Sequence, residues 1–153
     1  MKFLVLLRHG IAEDKGGGKP DADRELTKEG RERIEESAPR LKKIFPDAEA
    51  IYSSPLIRAM QTAEPVAKAY GFKIKTAQAL APQGTIDDVR KLIKEAGDFA
   101  IFVGHEPNLS AIALALTKIN GDIELKKGGC YGINFEDGTR LEWMLPPRVL
   151  RLR

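Results

Sequence analysis

Lys2-Phe3-Leu4-Val5-Leu6-Leu7-Arg8-His9-Gly10 decides how the chain is read. The run from Lys2 to Leu7 has the length and character of a buried strand, and it stops at an arginine, a histidine and a glycine. In open α/β sheets ligands bind beyond the carboxyl ends of the strands. His9 therefore stands where a reacting group is placed. Arg8 precedes it as a fixed cation, and Gly10 follows it to let the backbone turn sharply.

A second stretch repeats the arrangement. Asp98-Phe99-Ala100-Ile101-Phe102-Val103 is another buried-strand run, and it ends in Gly104-His105-Glu106-Pro107. The chain has only 2 histidines, and each closes one of these runs. A single such histidine reads as a packed, hydrogen-bonded core residue. Two in matched positions, one beside Arg8, point to a site.

With 153 residues the chain is expected to be one domain, residues 1–153, long enough for a sizeable core. No apolar run approaches the roughly 20 residues needed to span a bilayer, and the run after Met1 is too short for a signal peptide. A cytoplasmic protein with no membrane partner is the expectation. The lone Cys130 offers neither an internal disulfide nor a cysteine metal site, and the histidine spacing suits no zinc site. The formal net charge of +3 suits an anionic substrate but is too weak, without a basic stripe, to argue for nucleic acid.

Working outward, Gly16-Gly17-Gly18-Lys19-Pro20 is a flexible loop at the rim of the His9 turn. Thr27 is expected to N-cap a first helix with Ile34, Ala38, Leu41 and Phe45 as its buried stripe. Pro39 should kink or split that helix. Ala50 to Ser53 is a short strand, and Ser54-Pro55 is expected to start the next helix, which Gly71 ends. Arg58 lies about one turn in, near backbone N–H groups that favour an anion. Phe72 to Lys75 reads as an edge strand, Thr85 to Ala96 as an amphipathic helix, and Pro107 to about Ile119 as a well-buried helix. Glu136-Asp137-Gly138 joins two alternating runs in a hairpin. The Arg148–Arg153 tail is read as a solvated end or short edge strand. The whole gives an α/β fold: a three-layer α/β/α sandwich around a mostly parallel sheet with antiparallel C-terminal edge strands.

Such a fold can gather Arg8, His9, Arg58 and His105, with Arg24 on the rim loop as a fifth member. Three arginines and two histidines suit a phosphate, whose oxygens match guanidinium forks in geometry and charge. Histidine can attack phosphorus and carry the phosphoryl group covalently. Neighbouring cations should keep the attacking imidazole neutral, while the other groups hold charge on the equatorial oxygens.

Leu7-Arg8-His9-Gly10, Ser53-Ser54-Pro55-Leu56-Ile57-Arg58-Ala59-Met60-Gln61-Thr62-Ala63 and Gly104-His105-Glu106-Pro107 resemble, in order, the three signatures of the histidine phosphatase superfamily, the phosphoglycerate mutase-like fold. The short chain and Arg24-Glu25-Leu26-Thr27-Lys28-Glu29-Gly30 further resemble its SixA-type phosphohistidine phosphatases. The resemblance implies His9 as the nucleophile that becomes phosphohistidine. Arg8 and Arg58 would clamp the phosphoryl group, His105 would complete the pocket, and Arg24 would be a further phosphate ligand. It implies no metal or organic cofactor, and a phosphorylated protein of phosphorelay or phosphocarrier type as substrate. The alternative is the same chemistry on a small sugar- or nucleotide-type phosphomonoester.

One departure separates these two. Many members of the superfamily supply an acidic proton donor from the loop after the third strand, but Gln78-Ala79-Leu80-Ala81-Pro82-Gln83-Gly84 holds no carboxylate. A missing acid slows loss of an alkoxide by about 10²–10⁴, whereas imidazole is a far better leaving group, so the departure favours P–N cleavage. Glu13, Asp14 and Glu106 are the remaining candidates for an acid. Glu13 and Asp14 read more simply as solvated loop charges, and Glu106 as a carboxylate in the first turn of a helix.

Overall fold

The computed structural model describes residues 1–152. Six strands, β1 (Phe3–Arg8), β2 (Ala50–Ser53), β3 (Ile74–Thr76), β4 (Phe99–Gly104), β5 (Cys130–Asn134) and β6 (Arg140–Leu145), form one sheet in the order β3-β2-β4-β1-β5-β6. The first four positions are mutually parallel, and β5 and β6 add as antiparallel neighbours at one side. Five α-helices accompany the sheet among the described residues: α1 (Lys28–Ile44), α2 (Ile57–Tyr70), α3 (Ile86–Glu95), α4 (Asn108–Thr117) and α5 (Pro147–Leu150). The mixed α/β sandwich expected from the element pattern is the observed fold.

Strand alternation builds the two halves of the core. Val5, Leu7, Ile101 and Val103 meet Ile34, Leu41, Ala63 and Val66 of α1 and α2 on one face. Leu4, Leu6, Ala100 and Phe102 meet Val89, Leu92, Leu109 and Ile112 of α3 and α4 on the other. Because β1 and β4 are covered on both faces, they read as continuous apolar runs rather than alternating ones.

The topology sets the place of the site. The chain steps outward from β1 to β2 and β3 with α1 and α2 on one face, then returns through α3 on the opposite face to insert β4 beside β1. The reversal opens a crevice at the carboxyl ends of β1 and β4. In register, Arg8 lies opposite Gly104, and the His9 N–H donates to the Gly104 carbonyl at 3.0 Å. His9 and His105 therefore leave adjacent strands at the same level.

Local expectations fare differently. Thr27 caps α1 by accepting from Gly30 N at 3.0 Å, and Thr85 forms a reciprocal capping box with Asp88. Gly71 ends α2 in the left-handed region at φ 82°. Pro39 does not split α1, which runs unbroken from Lys28 to Ile44. Pro39 is exposed, so the carbonyl deprived of its N–H partner sits on the solvent side, while Ile34, Ala38 and Leu41 hold the opposite face in the core. The helix expected at Ser54-Pro55 begins only at Ile57. The Arg148–Leu152 stretch is not a strand: α5 drives Leu150 to full burial against the α1 face, while Arg148 and Leu152 stay exposed. Four residues are too few for a helical period to show. Arg153 lies outside the described residues.

Candidate active site

The five residues singled out by the sequence line one cavity of about 490 Å³ at the β1–β4 crevice. His9 is 6% exposed and its Nδ1 lies 2.7 Å from the Gly10 carbonyl. A carbonyl only accepts, so Nδ1 carries the proton and the neutral ring keeps its lone pair on Nε2. Gly10 is fixed in turn: its N–H donates to Thr62 Oγ1 at 3.0 Å, and that hydroxyl donates to the Arg58 carbonyl at 2.7 Å. The glycine is needed for close approach rather than for a sharp turn. Its φ is not positive, and a Cβ there would meet Ile34 Cγ1 at 3.0 Å.

His105 is 4% exposed, with ring centroid 5.2 Å from that of His9. Its Nε2 is 2.7 Å from Ser54 Oγ, and that hydroxyl oxygen accepts from Leu56 N at 3.2 Å. Ser54 thus shapes the turn ahead of α2 and orients His105 at once, a role invisible in its reading as a helix cap. His105 Nδ1 is buried without a partner.

The arginines arrive from three directions. Arg8 closes β1, donates to the Leu125 carbonyl and leaves its Nε buried and unpartnered. Arg58, in the first turn of α2, is 4% exposed. Arg24 donates from Nε to the Glu13 carbonyl at 2.7 Å. Arg24 and Arg58 share a partner that the sequence did not signal beyond its i, i+3 spacing from Arg24. The Asp21 carboxylate accepts from Arg24 at 2.7 Å and from Arg58 at 3.2 Å, and the Asp21 carbonyl accepts from Arg58 at 2.8 Å. Lys15, Asn108 and Lys127 also line the cavity and were also missed.

Both imidazoles are held neutral. Burial is the main cause of the fall of His9 to about 4, followed by the charges of Arg58, Arg8 and Arg24, with the Gly10 bond opposing them. His105 falls to about 3, again first by burial, then by His9 and Arg58. The neutrality expected from neighbouring cations is present, but desolvation contributes more of it.

The three candidate acids are not equivalent. Glu13 accepts from Lys19 Nζ at 2.9 Å and from Glu25 N at 2.8 Å, contacts that hold its carboxyl below the usual range. Glu106 accepts from Ser110 N at 2.9 Å, from Ser110 Oγ and from Leu125 N at 3.4 Å, the work of a carboxylate at a helix start. All three, Asp14 among them, line the cavity. The Gln78–Leu80 turn brings no carboxylate, and among the described residues no cluster of three metal-binding side chains occurs.

This strand-end pair of histidines within a set of arginines belongs to a defined class. The family model of the histidine phosphatase superfamily (branch 1) matches residues 4–83, and the chain belongs to that family. An uncharacterised protein of Picosynechococcus sp. is 38% identical over 137 residues, covering 85% of this chain and 83% of that one. Among solved structures, the protein histidine phosphatase SixA complexed with tungstate superposes with a TM-score of 0.84 at 21% identity, covering 97% of this chain and 99% of the other. A mutant phosphoserine phosphatase of Entamoeba histolytica in complex with phosphoserine gives 0.78 at 20% identity, covering 97% and 98%.

Proposed function

We propose that this protein hydrolyses phosphohistidine on another protein through a covalent intermediate on His9. The observation that carries the reading is the Nδ1–Gly10 bond, which leaves the Nε2 lone pair free on a ring that lines a cavity with Arg8, Arg24 and Arg58. In the first step the substrate's ring carries a proton on its other nitrogen; the His9 Nε2 lone pair forms the new N–P bond while the substrate's P–N bond breaks, and its electrons return to an imidazole that departs neutral. Water then attacks phosphorus, the His9–P bond breaks and phosphate leaves. Arg8, Arg58 and His105 hold the equatorial oxygens, with Arg24 as a further ligand. The Gln78–Gly84 segment without a carboxylate supports P–N over P–O cleavage, because imidazole departs with less help than an alkoxide. The likeness to SixA points the same way.

The reading treats residues 1–153 as one domain acting in the cytoplasm on a phosphorylated carrier or relay protein, with no metal, nucleic acid or membrane involved. No helix among the described residues is long and apolar enough to cross a membrane. A second reading, hydrolysis of a small phosphomonoester, draws on Asp14 at the cavity wall and on the likeness to a phosphoserine phosphatase.

The test is to offer the purified protein a phosphohistidine-bearing carrier and, in parallel, a panel of phosphomonoesters, with EDTA present. Fast release from phosphohistidine, an acid-labile phosphoenzyme lost in His9→Ala, and feeble ester turnover are expected. Efficient ester turnover with no action on phosphohistidine would establish the second reading instead.

A further inference from the structure

The feature of the cavity that this reaction does not use is Asp21. Its carboxylate spans two of the three arginines, one oxygen on Arg24 at 2.7 Å and the other on Arg58 at 3.2 Å. That is the geometry in which two guanidinium forks hold two oxygens of a phosphoryl group. Among the described residues these two arginines are the only hydrogen-bond partners of the carboxylate. Its main chain is tied to the same clamp, the Asp21 carbonyl accepting from Arg58 at 2.8 Å, while the rest of the turn is lightly anchored. The Asp21–Asp23 turn contains no buried residue, and the Asp21 side chain is 48% exposed. The chain leading to it passes through Gly16 and Gly18, both in the left-handed region with open space where a Cβ would stand.

We propose that Asp21 occupies the phosphoryl subsite as a built-in competitor and sets which anions the arginine clamp accepts. The proposal rests on the reading of the cavity as a phosphate site. A carboxylate tethered a few residues from Arg24 acts at high effective concentration, of order millimolar or above. A carboxylate on a partner protein, the commonest anion on any protein surface, meets a clamp already satisfied by its equal. A dianionic phosphoryl group offers more charge and more acceptor oxygens and displaces Asp21. The clamp then discriminates phosphoryl groups from the Asp and Glu side chains around them, which an open set of arginines would bind indiscriminately.

Calorimetric titration with inorganic phosphate, and with acetate as a simple carboxylate, tests this without requiring turnover. Asp21→Asn and Asp21→Ser are expected to bind phosphate at least fivefold more tightly than the unaltered protein, and to let acetate compete with phosphate where it did not before. Asp23→Asn removes the same charge from the same turn without touching the arginines, and is expected to change phosphate affinity less than twofold. Equal or weaker phosphate binding in both Asp21 variants, or an equal gain in Asp23→Asn, would overturn the proposal while leaving the phosphatase reading intact. Phosphate binding to none of the proteins would overturn both.

Discussion

At the scale of single residues, the site is written at the ends of elements. His9, His105, Arg8 and Arg58 are legible because each sits beside punctuation: a strand run that stops, a glycine, or Ser54-Pro55 ahead of a helix. Asp21 and Ser54 are not, because their roles depend on contacts across 37 and 51 positions, to Arg58 and to His105. Nothing local to either residue marks such a contact. The hydrogen bond between His105 and Ser54 gives one expectation. Ser54→Ala removes an oriented partner, and should slow phosphoenzyme formation about tenfold while costing about 1 kcal/mol of stability. Stopped-time trapping of the phosphoenzyme and a denaturant melt measure the two separately. The neutral state of the imidazoles gives another. With only 2 histidines in the chain, their ring proton resonances are resolved by NMR and assigned with His105→Gln. His9 should titrate near 4 rather than 6.5, so phosphoenzyme formation should not depend on its protonation between pH 6 and 8. A His9 midpoint near 6.5 would contradict the burial that sets it.

At the scale of elements, apolar period and capping chemistry reveal α1, α2, α3 and the hairpin to within a few residues, whereas the exceptions arise where tertiary packing outweighs local preference. Pro39 is the plainest case: it lacks the donor a helix interior requires, yet α1 persists because its buried face is held by the sheet. Pro39→Ala restores that donor at an exposed position and should raise the thermal midpoint, by roughly 2–4 °C for each kcal/mol gained in a domain of this size. The opposite outcome is expected nearer the start of the same helix. Gly30 lies where α1 passes the backbone after His9, and a Cβ there would stand 2.1 Å from the Ile11 carbonyl oxygen. Gly30→Ala must displace backbone rather than a side chain, and should cost about 2 kcal/mol or more. A differential scanning experiment on the two variants should show shifts of opposite sign.

At the scale of the whole molecule, the class of fold follows from the β-α alternation, but the strand order β3-β2-β4-β1-β5-β6 does not. Insertion of β4 beside β1 is decided by which buried faces fit together, and that insertion is what sets the two histidines 5.2 Å apart. The same burial that assembles the site ties its protonation to global stability. In the unfolded chain each histidine takes up a proton near pH 6.5, whereas folding lowers His9 to about 4 and His105 to about 3. Below pH 6.5 the unfolded state therefore binds more protons than the folded one, and unfolding becomes easier as pH falls. The stabilisation from neutral imidazoles is complete above pH 6.5 and erodes downward until the folded-state values are reached. Carboxylates held low by their partners, Asp21 by Arg24 and Asp88 by Thr85, begin to erode only as pH enters the ordinary carboxylate range, so above about pH 5 the histidine effect stands alone. Thermal melts between pH 7 and 4.5 should show a steady fall in midpoint that is markedly shallower in the His9→Gln, His105→Gln double variant. Phosphate should flatten the same slope in the unaltered protein, because a bound dianion beside the rings favours their charged forms. A slope identical in all three conditions would place the acid sensitivity of the fold elsewhere than at this pair.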